Sequence, residues 1–195
     1  MPDAPAPAAL LLVDVINDCA FEGGEDLARN ARPTVEPIGR LAERAREAGA
    51  PVIYVNDNFG RWNETFAELV ERCSRDDSRG CAIVRALSPG PGDHFVLKPK
   101  HSAFYLTSLD ALLRKLGVRR LVICGYAADI CVLFTANDAH MREYEVAVPR
   151  DCVASENGDR RECALALLSD SLDVDTRPAE HVEFAGAGAG VGAEE

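Results

Sequence analysis

Three residues of this chain carry complementary chemistry: Asp14, Lys98 and Cys131. Asp14 closes the apolar run "LLLVD", Lys98 closes "HFVLK", and Cys131 stands where the glycine-led turn after "LVICG" passes into a helical stretch. A cysteine at a helix start beside an ammonium favours the thiolate. A carboxylate within reach can take the thiol proton and later return it to a leaving amine. A tight turn entering a helix also presents backbone N–H groups to a developing oxyanion. Together these are the parts of a thiol hydrolase. Each residue alone has a plainer reading: Asp14 as a turn or cap residue, Lys98 as a solvated end, Cys131 as a small core residue.

The elements needed to bring them together are legible. "AALLLVDV" (8–15) reads as a central parallel strand covered on both faces. "RPTVEPIGRLAERAREAGA" follows as a helix, with Pro near its start and Gly49 near its end. Further strands are predicted over 51–56, 94–98, 119–125 and 144–149, with a sixth in "SLDVDT" (171–176). Helices are predicted over 108–117, 130–143 and 159–169, and a partly helical region around 63–74. This alternation predicts an α/β fold: one domain over 8–180, with a mostly parallel, doubly wound sheet of about six strands. In such sheets the ligand crevice lies beyond the carboxyl ends of the strands, where all three residues stand. Asp129 reads as a cap for the helix that follows Cys131. Residues 1–7 and 185–195 are expected to be flexible tails, the first Pro/Ala-rich and the second "AGAGAGVGAEE".

Composition narrows the class. The chain has 195 residues, 47% of them hydrophobic, and a formal charge of −11, which argues against nucleic acid and anionic membrane as partners. No apolar run reaches the roughly 18 residues of a membrane span. The start "MPDAPAPAALLLVD" has no basic region and reads as the approach to a strand rather than a leader. Seven cysteines with no CxxC pair fit a reducing, cytoplasmic compartment better than a disulfide scaffold.

The segments "LLVDVIND" (11–18), "VLKPKHSAF" (96–104), "GYAADICVLFTANDA" (125–139) and "VPRDCVA" (148–154) occur in an order and at distances that resemble the isochorismatase-like cysteine hydrolases. That family includes nicotinamidases, N-carbamoylsarcosine amidases, ureidoacrylate amidohydrolases and isochorismatases. The resemblance implies a Rossmann-like three-layer α/β/α fold, with Asp14 as general base and acid, Cys131 as nucleophile and Lys98 as electrostatic partner. It also implies a cis peptide at Tyr126–Ala127 and an oxyanion hole made by the N–H groups of Ala127 and Cys131. A homo-oligomer, dimer or tetramer, is implied as well. Two departures stand out. Nicotinamidases carry Asp-x-His and a further His after the second strand, where this chain reads "VNDNFGRWNETF"; Asp57 is present without imidazole partners, so no metal and no cofactor are expected. Many members have Phe five residues after the catalytic Asp, where this chain has Cys19 and, two residues on, Phe21. Asn58, Phe59, Trp62, Phe66, His101 and Phe104 are candidates for the pocket of a small-molecule substrate.

The reading that results is a metal-independent cysteine hydrolase cleaving a C–N bond of a small amide, ureide or carbamoyl compound. The alternatives are a vinyl ether hydrolase of the isochorismatase type and a non-catalytic thiol redox or sensing protein.

Overall fold

The central strand forms where apolar residues are continuous. In the computed structural model, which describes residues 7–184, β1 (Ala8–Val13) has every residue buried. It is flanked on both sides by parallel partners, β2 (Val52–Asp57) and β4 (Arg120–Tyr126). β3 (His94–Lys98) adds beyond β2, and β5 (Glu145–Ala147) adds beyond β4. The sheet order is β3-β2-β1-β4-β5, and β6 (Val153–Ala154) pairs with the carboxyl end of β4. The order in which strands are added therefore reverses between β1 and β4, which is the switch point where ligands bind in folds of this kind.

Strand alternation feeds two cores. Leu10, Leu12, Tyr54, Val122 and Cys124 face one layer, with α1 (Gly24–Ala31), α2 (Val35–Glu47), α3 (Phe66–Cys73) and α4 (Cys81–Ala86). Ala9, Leu11, Val13, Ile53 and Ile123 face the other, with α5 (Leu109–Lys115), α6 (Leu133–His140) and α7 (Gly158–Leu172). Helices thus cover both faces of one parallel sheet, a single-domain three-layer α/β/α architecture. In α2 the buried residues Ile38, Leu41, Ala42 and Ala45 follow the helical period. Each fully buried Leu or Ile contributes roughly 1.5–3 kcal/mol. A capping box of Thr65 and Glu68 starts α3, and Asn157 caps α7 through the Arg160 N–H.

Four expectations need correction. "SLDVDT" is not a strand: Asp175 makes one isolated bridge to Ala147, and the sixth strand lies in "VPRDCVA" instead. The helices at 24–31 and 81–86 add to those expected; at eight and six residues they are too short for a clear periodic signal. The helix expected over 130–143 begins as a wide π-type turn, Ala128–Val132, and ends at His140. Asp129 lies inside that turn and provides no side-chain cap. The expected tails lie outside the described residues except for Pro7, whose carbonyl accepts the N–H groups of Arg119 and Arg120 at 2.8 and 3.2 Å. Among the described residues no helix is long and apolar enough to cross a membrane. All seven cysteines are free.

Candidate active site

β1 stops at Val13, and Asp14 turns out of the strand with φ 52° while its N–H still donates to the Val55 carbonyl at 2.9 Å. The loop beyond it is held by the buried Asn56 side chain, which donates to the Ile16 carbonyl at 2.7 Å. This pins the Asp14 carboxylate over the sheet edge. Its Oδ1 accepts the Asp57 N–H at 2.6 Å, and its Oδ2 lies 2.8 Å from Lys98 Nζ.

Lys98 is the last residue of β3, and its side chain is wholly buried. A buried ammonium needs anions around it, and three groups answer from three elements. Asp14 comes from β1; Cys131 Sγ accepts from Nζ at 3.4 Å; Asp57 Oδ2 stands 3.7 Å away at the end of β2.

Cys131 is aimed by the turn after β4. Gly125 has φ +119°, and a Cβ there would sit 2.0 Å from the Val13 carbonyl oxygen, so only glycine lets β4 approach β1 this closely. The Tyr126–Ala127 peptide is cis, and the Tyr126 hydroxyl shares a 2.9 Å hydrogen bond with Thr34 Oγ1. The Ala127 carbonyl then accepts from Ile130 and Val132 at 3.2 and 3.1 Å, and Asp129 N–H donates to Ser155 Oγ at 3.3 Å. These contacts fix the turn that carries the thiol.

The electrostatics run against the expectation of a resting thiolate. Burial pushes the Cys131 thiol well above its ordinary range, and the Asp14 carboxylate pushes it further; the Lys98 ammonium opposes both and loses. Burial disfavours the Lys98 ammonium, but Asp14, Cys131 and Asp57 together outweigh it and hold its pKa above the ordinary value. Lys98 thus faces carboxylates at 2.8 and 3.7 Å and a thiol whose ionisation burial opposes.

The expected pocket residues fare unevenly. Asn58 is buried at the site's edge, its N–H donating to the Lys98 carbonyl at 3.0 Å and its Oδ1 accepting the Gly60 N–H at 2.9 Å. Its side-chain oxygen closes a turn. Phe59 is 37% exposed, with the Arg72 guanidinium 5.7 Å from its ring centroid. Trp62 is 79% exposed. His101 is exposed, its ring 5.8 Å from that of Phe134, three residues beyond Cys131. Phe104 and Phe66 are core residues rather than walls: Phe104 packs against Tyr144 beneath Arg142, and Phe66 stacks on Phe95 at 4.8 Å. A cavity of about 640 Å³ is lined by Asp18, Phe21, Arg72, Arg75 and Arg79 among others, and by none of Asp14, Lys98 and Cys131. There Arg72 joins Glu64, through hydrogen bonds of 2.7 and 3.0 Å, to Asp18. The sequence gives no sign of that cluster, because its members meet from distant segments.

Asp57, which the sequence leaves without a role, stands beside Lys98 in the structure. Its register partner is Lys98, and two ionisable residues ending neighbouring parallel strands were the available signal. Among the described residues no group of three His, Cys, Asp or Glu side chains is arranged to hold a metal.

The comparisons with known proteins agree with this architecture. The isochorismatase domain family matches residues 8–176. The isochorismatase family protein YaaI of Bacillus subtilis is 42% identical over 177 residues, covering 91% of this chain and 97% of its own. A ureidoacrylate amidohydrolase, RutB of Methylorubrum extorquens, is 33% identical over 176 residues, covering 74% of this chain and 71% of its own. The crystal structure of N-carbamoylsarcosine amidase from Thermoplasma acidophilum superposes with a TM-score of 0.68 at 28% identity, covering 91% of this chain and 99% of that one.

Proposed function

The chain belongs to the isochorismatase family and is a hydrolase with amidohydrolase relatives, and from this we propose that it is a metal-independent cysteine hydrolase. It cleaves a C–N bond of a small amide, ureide or carbamoyl substrate through a thioester on Cys131. The observation that carries the reading is the Lys98 ammonium, 2.8 Å from the Asp14 carboxylate and 3.4 Å from the Cys131 sulfur.

The neutral resting thiol is compatible with that cycle. When substrate is bound, the Cys131 proton passes to Asp14, and the sulfur attacks the carbonyl carbon. The transfer leaves the total charge of the site unchanged, and the ammonium faces the anion on either side of it. The oxyanion is received by the N–H groups of Ala127 and Cys131. The tetrahedral intermediate collapses, the C–N bond breaks, and Asp14 gives its proton to the departing nitrogen. Water then attacks the thioester while Asp14 takes a proton from it. The second collapse releases the acid, and the proton on Asp14 returns to the Cys131 sulfur.

Two further observations support the assignment. Asp57, the carboxylate at the position where a metal-binding relative needs imidazole neighbours, is followed by Asn58, Phe59 and Gly60 and already faces Lys98. A ureidoacrylate amidohydrolase and an N-carbamoylsarcosine amidase stand among the similar proteins, and both names describe substrates with a carbamoyl or ureido C–N bond.

The test is rapid quenching of the protein with a panel of N-carbamoyl amino acids, ureides and small amides, followed by peptide mass spectrometry. A turned-over substrate should leave its acyl mass on the Cys131 peptide alone, and Cys131→Ala and Asp14→Asn should each lose at least about a thousandfold in kcat. Turnover that survives Cys131→Ala, as a vinyl ether hydrolysis without a covalent adduct would, refutes the thioester mechanism.

A further inference from the structure

Asp57 closes the far side of the Lys98 ammonium. As register partners at the ends of β2 and β3, the two residues direct their side chains to the same side of the sheet. Asp57 serves the site three ways: its N–H holds Asp14 Oδ1 at 2.6 Å, its Oδ1 accepts the Phe59 N–H at 2.7 Å, and its Oδ2 faces Lys98 Nζ at 3.7 Å. The charged and titratable groups facing the ammonium are Asp14 from β1, Asp57 from β2 and Cys131 from the turn before α6. With the thiol neutral, one cation meets two carboxylates.

A proton moving from Cys131 to Asp14 neutralises the carboxylate nearest the ammonium. Lys98 is then left with the new thiolate and Asp57. Resting on the hydrolase reading above, we propose that Asp57 is a positioning residue that acts through Lys98. It shares the ammonium with Cys131, keeps the lysine charged while Asp14 carries the proton, and biases the resting cysteine toward the thiol. The direction of each influence follows from sign alone. A second anion beside Lys98 favours the ammonium, and an ammonium divided among three anions stabilises any one of them less. The Asp57 side chain is 28% exposed, so its effect is screened relative to that of Asp14 but not removed. The placement also gives this carboxylate a use that needs no metal.

The neutral isostere tests it. Asp57→Asn keeps the backbone N–H that binds Asp14 and an oxygen for the Phe59 N–H, and removes only the charge. Alkylation of Cys131 by iodoacetamide is followed by peptide mass spectrometry from about pH 6 to 11 in the wild type, Asp57→Asn, Asp57→Glu, Asp14→Asn and Lys98→Met. Removing the anion should move the Asn profile to lower pH, with alkylation about three- to tenfold faster near pH 8, while Glu keeps the wild-type profile. An Asn profile that coincides with the wild type overturns the proposal, as does an equal shift in Glu, which would report packing rather than charge. Should Asn fold poorly, Asp57→Ser removes the same charge from a smaller side chain: a shift to lower pH supports the proposal, and a wild-type profile overturns it. Failure of the hydrolase reading looks different. In that case a turned-over substrate leaves no acyl mass on the Cys131 peptide, whatever the Asp57→Asn alkylation profile does.

Discussion

Lys98→Met isolates the strongest interaction in the site. The Lys98 ammonium and Asp14 carboxylate are 2.8 Å apart, with side-chain exposures of 0% and 7%. At an effective dielectric of about 20, unit charges at that distance attract by about 6 kcal/mol. Most of that offsets the removal of water from both ions, so the pair contributes little net stability compared with a well-packed neutral pair. Breaking it is another matter. Methionine keeps most of the side chain's length but leaves the buried Asp14 carboxylate without its cation. The expected loss is about 3–5 kcal/mol, the range for removing one partner of a buried pair. Asp14→Asn should be milder, because Asp57 still faces the ammonium. The double variant carries neither charge and should recover to within about 1–2 kcal/mol of the wild type. Urea unfolding of the four proteins, followed by circular dichroism, gives the coupling energy, expected at about 2–4 kcal/mol. A double variant whose loss equals the sum of the singles within about 0.5 kcal/mol would refute the reasoning, since two uncoupled sites add.

Gly125→Ala places a methyl 2.0 Å from the Val13 carbonyl oxygen at φ +119°, so it should lower stability by about 3 kcal/mol or more; an unchanged urea midpoint would show that β1 and β4 can part freely. Arg72→Ala frees Glu64 and Asp18, which it holds with 18% exposure. The loss should be roughly 1.5–3 kcal/mol, with faster proteolysis between residues 58 and 65, and an unaltered cleavage rate would count against the tie. Burial pushes the thiols of Cys19 and Cys73 up to about 11 and about 12, and the Tyr54 phenol up to about 12. The folded state keeps protons that the unfolded chain releases from its ordinary cysteine value of 9.0 upward, so stability is full below that pH and falls as pH rises through 11 to 12. A melting temperature that stays level from about pH 8 to 11 would contradict this.

The strand ends and their chemistry can be read without coordinates. A parallel strand buried on both faces reads as a near-continuous apolar run, so "AALLLVDV" and "RRLVICG" declare strands that the structure sets at Ala8–Val13 and Arg120–Tyr126, and an ionisable residue that ends such a run lies at the edge where ligands bind. Asp14 can be chosen on that ground; Lys98 ends the edge strand β3 and Cys131 follows the turn after β4, and the family motifs bring the three together. Short or weakly periodic pieces escape for the opposite reason: β6 has two residues, too few to display a period, and α4 has six. What depends on distance and burial had to wait for the folded chain. The sequence places an ammonium near a cysteine and so implies a thiolate; the fold buries the sulfur and sets Asp14 beside it, and both push the thiol's pKa up. Asp57 looks like the remnant of a metal site until strand register sets it against Lys98. Phe104 can be read as a wall because an aromatic residue near a motif carries no sign of which way it points, and packing turns it into the core. Charge and polarity are properties of residues, legible one at a time. Protonation state and orientation are properties of neighbours, and neighbours exist only once the chain has folded.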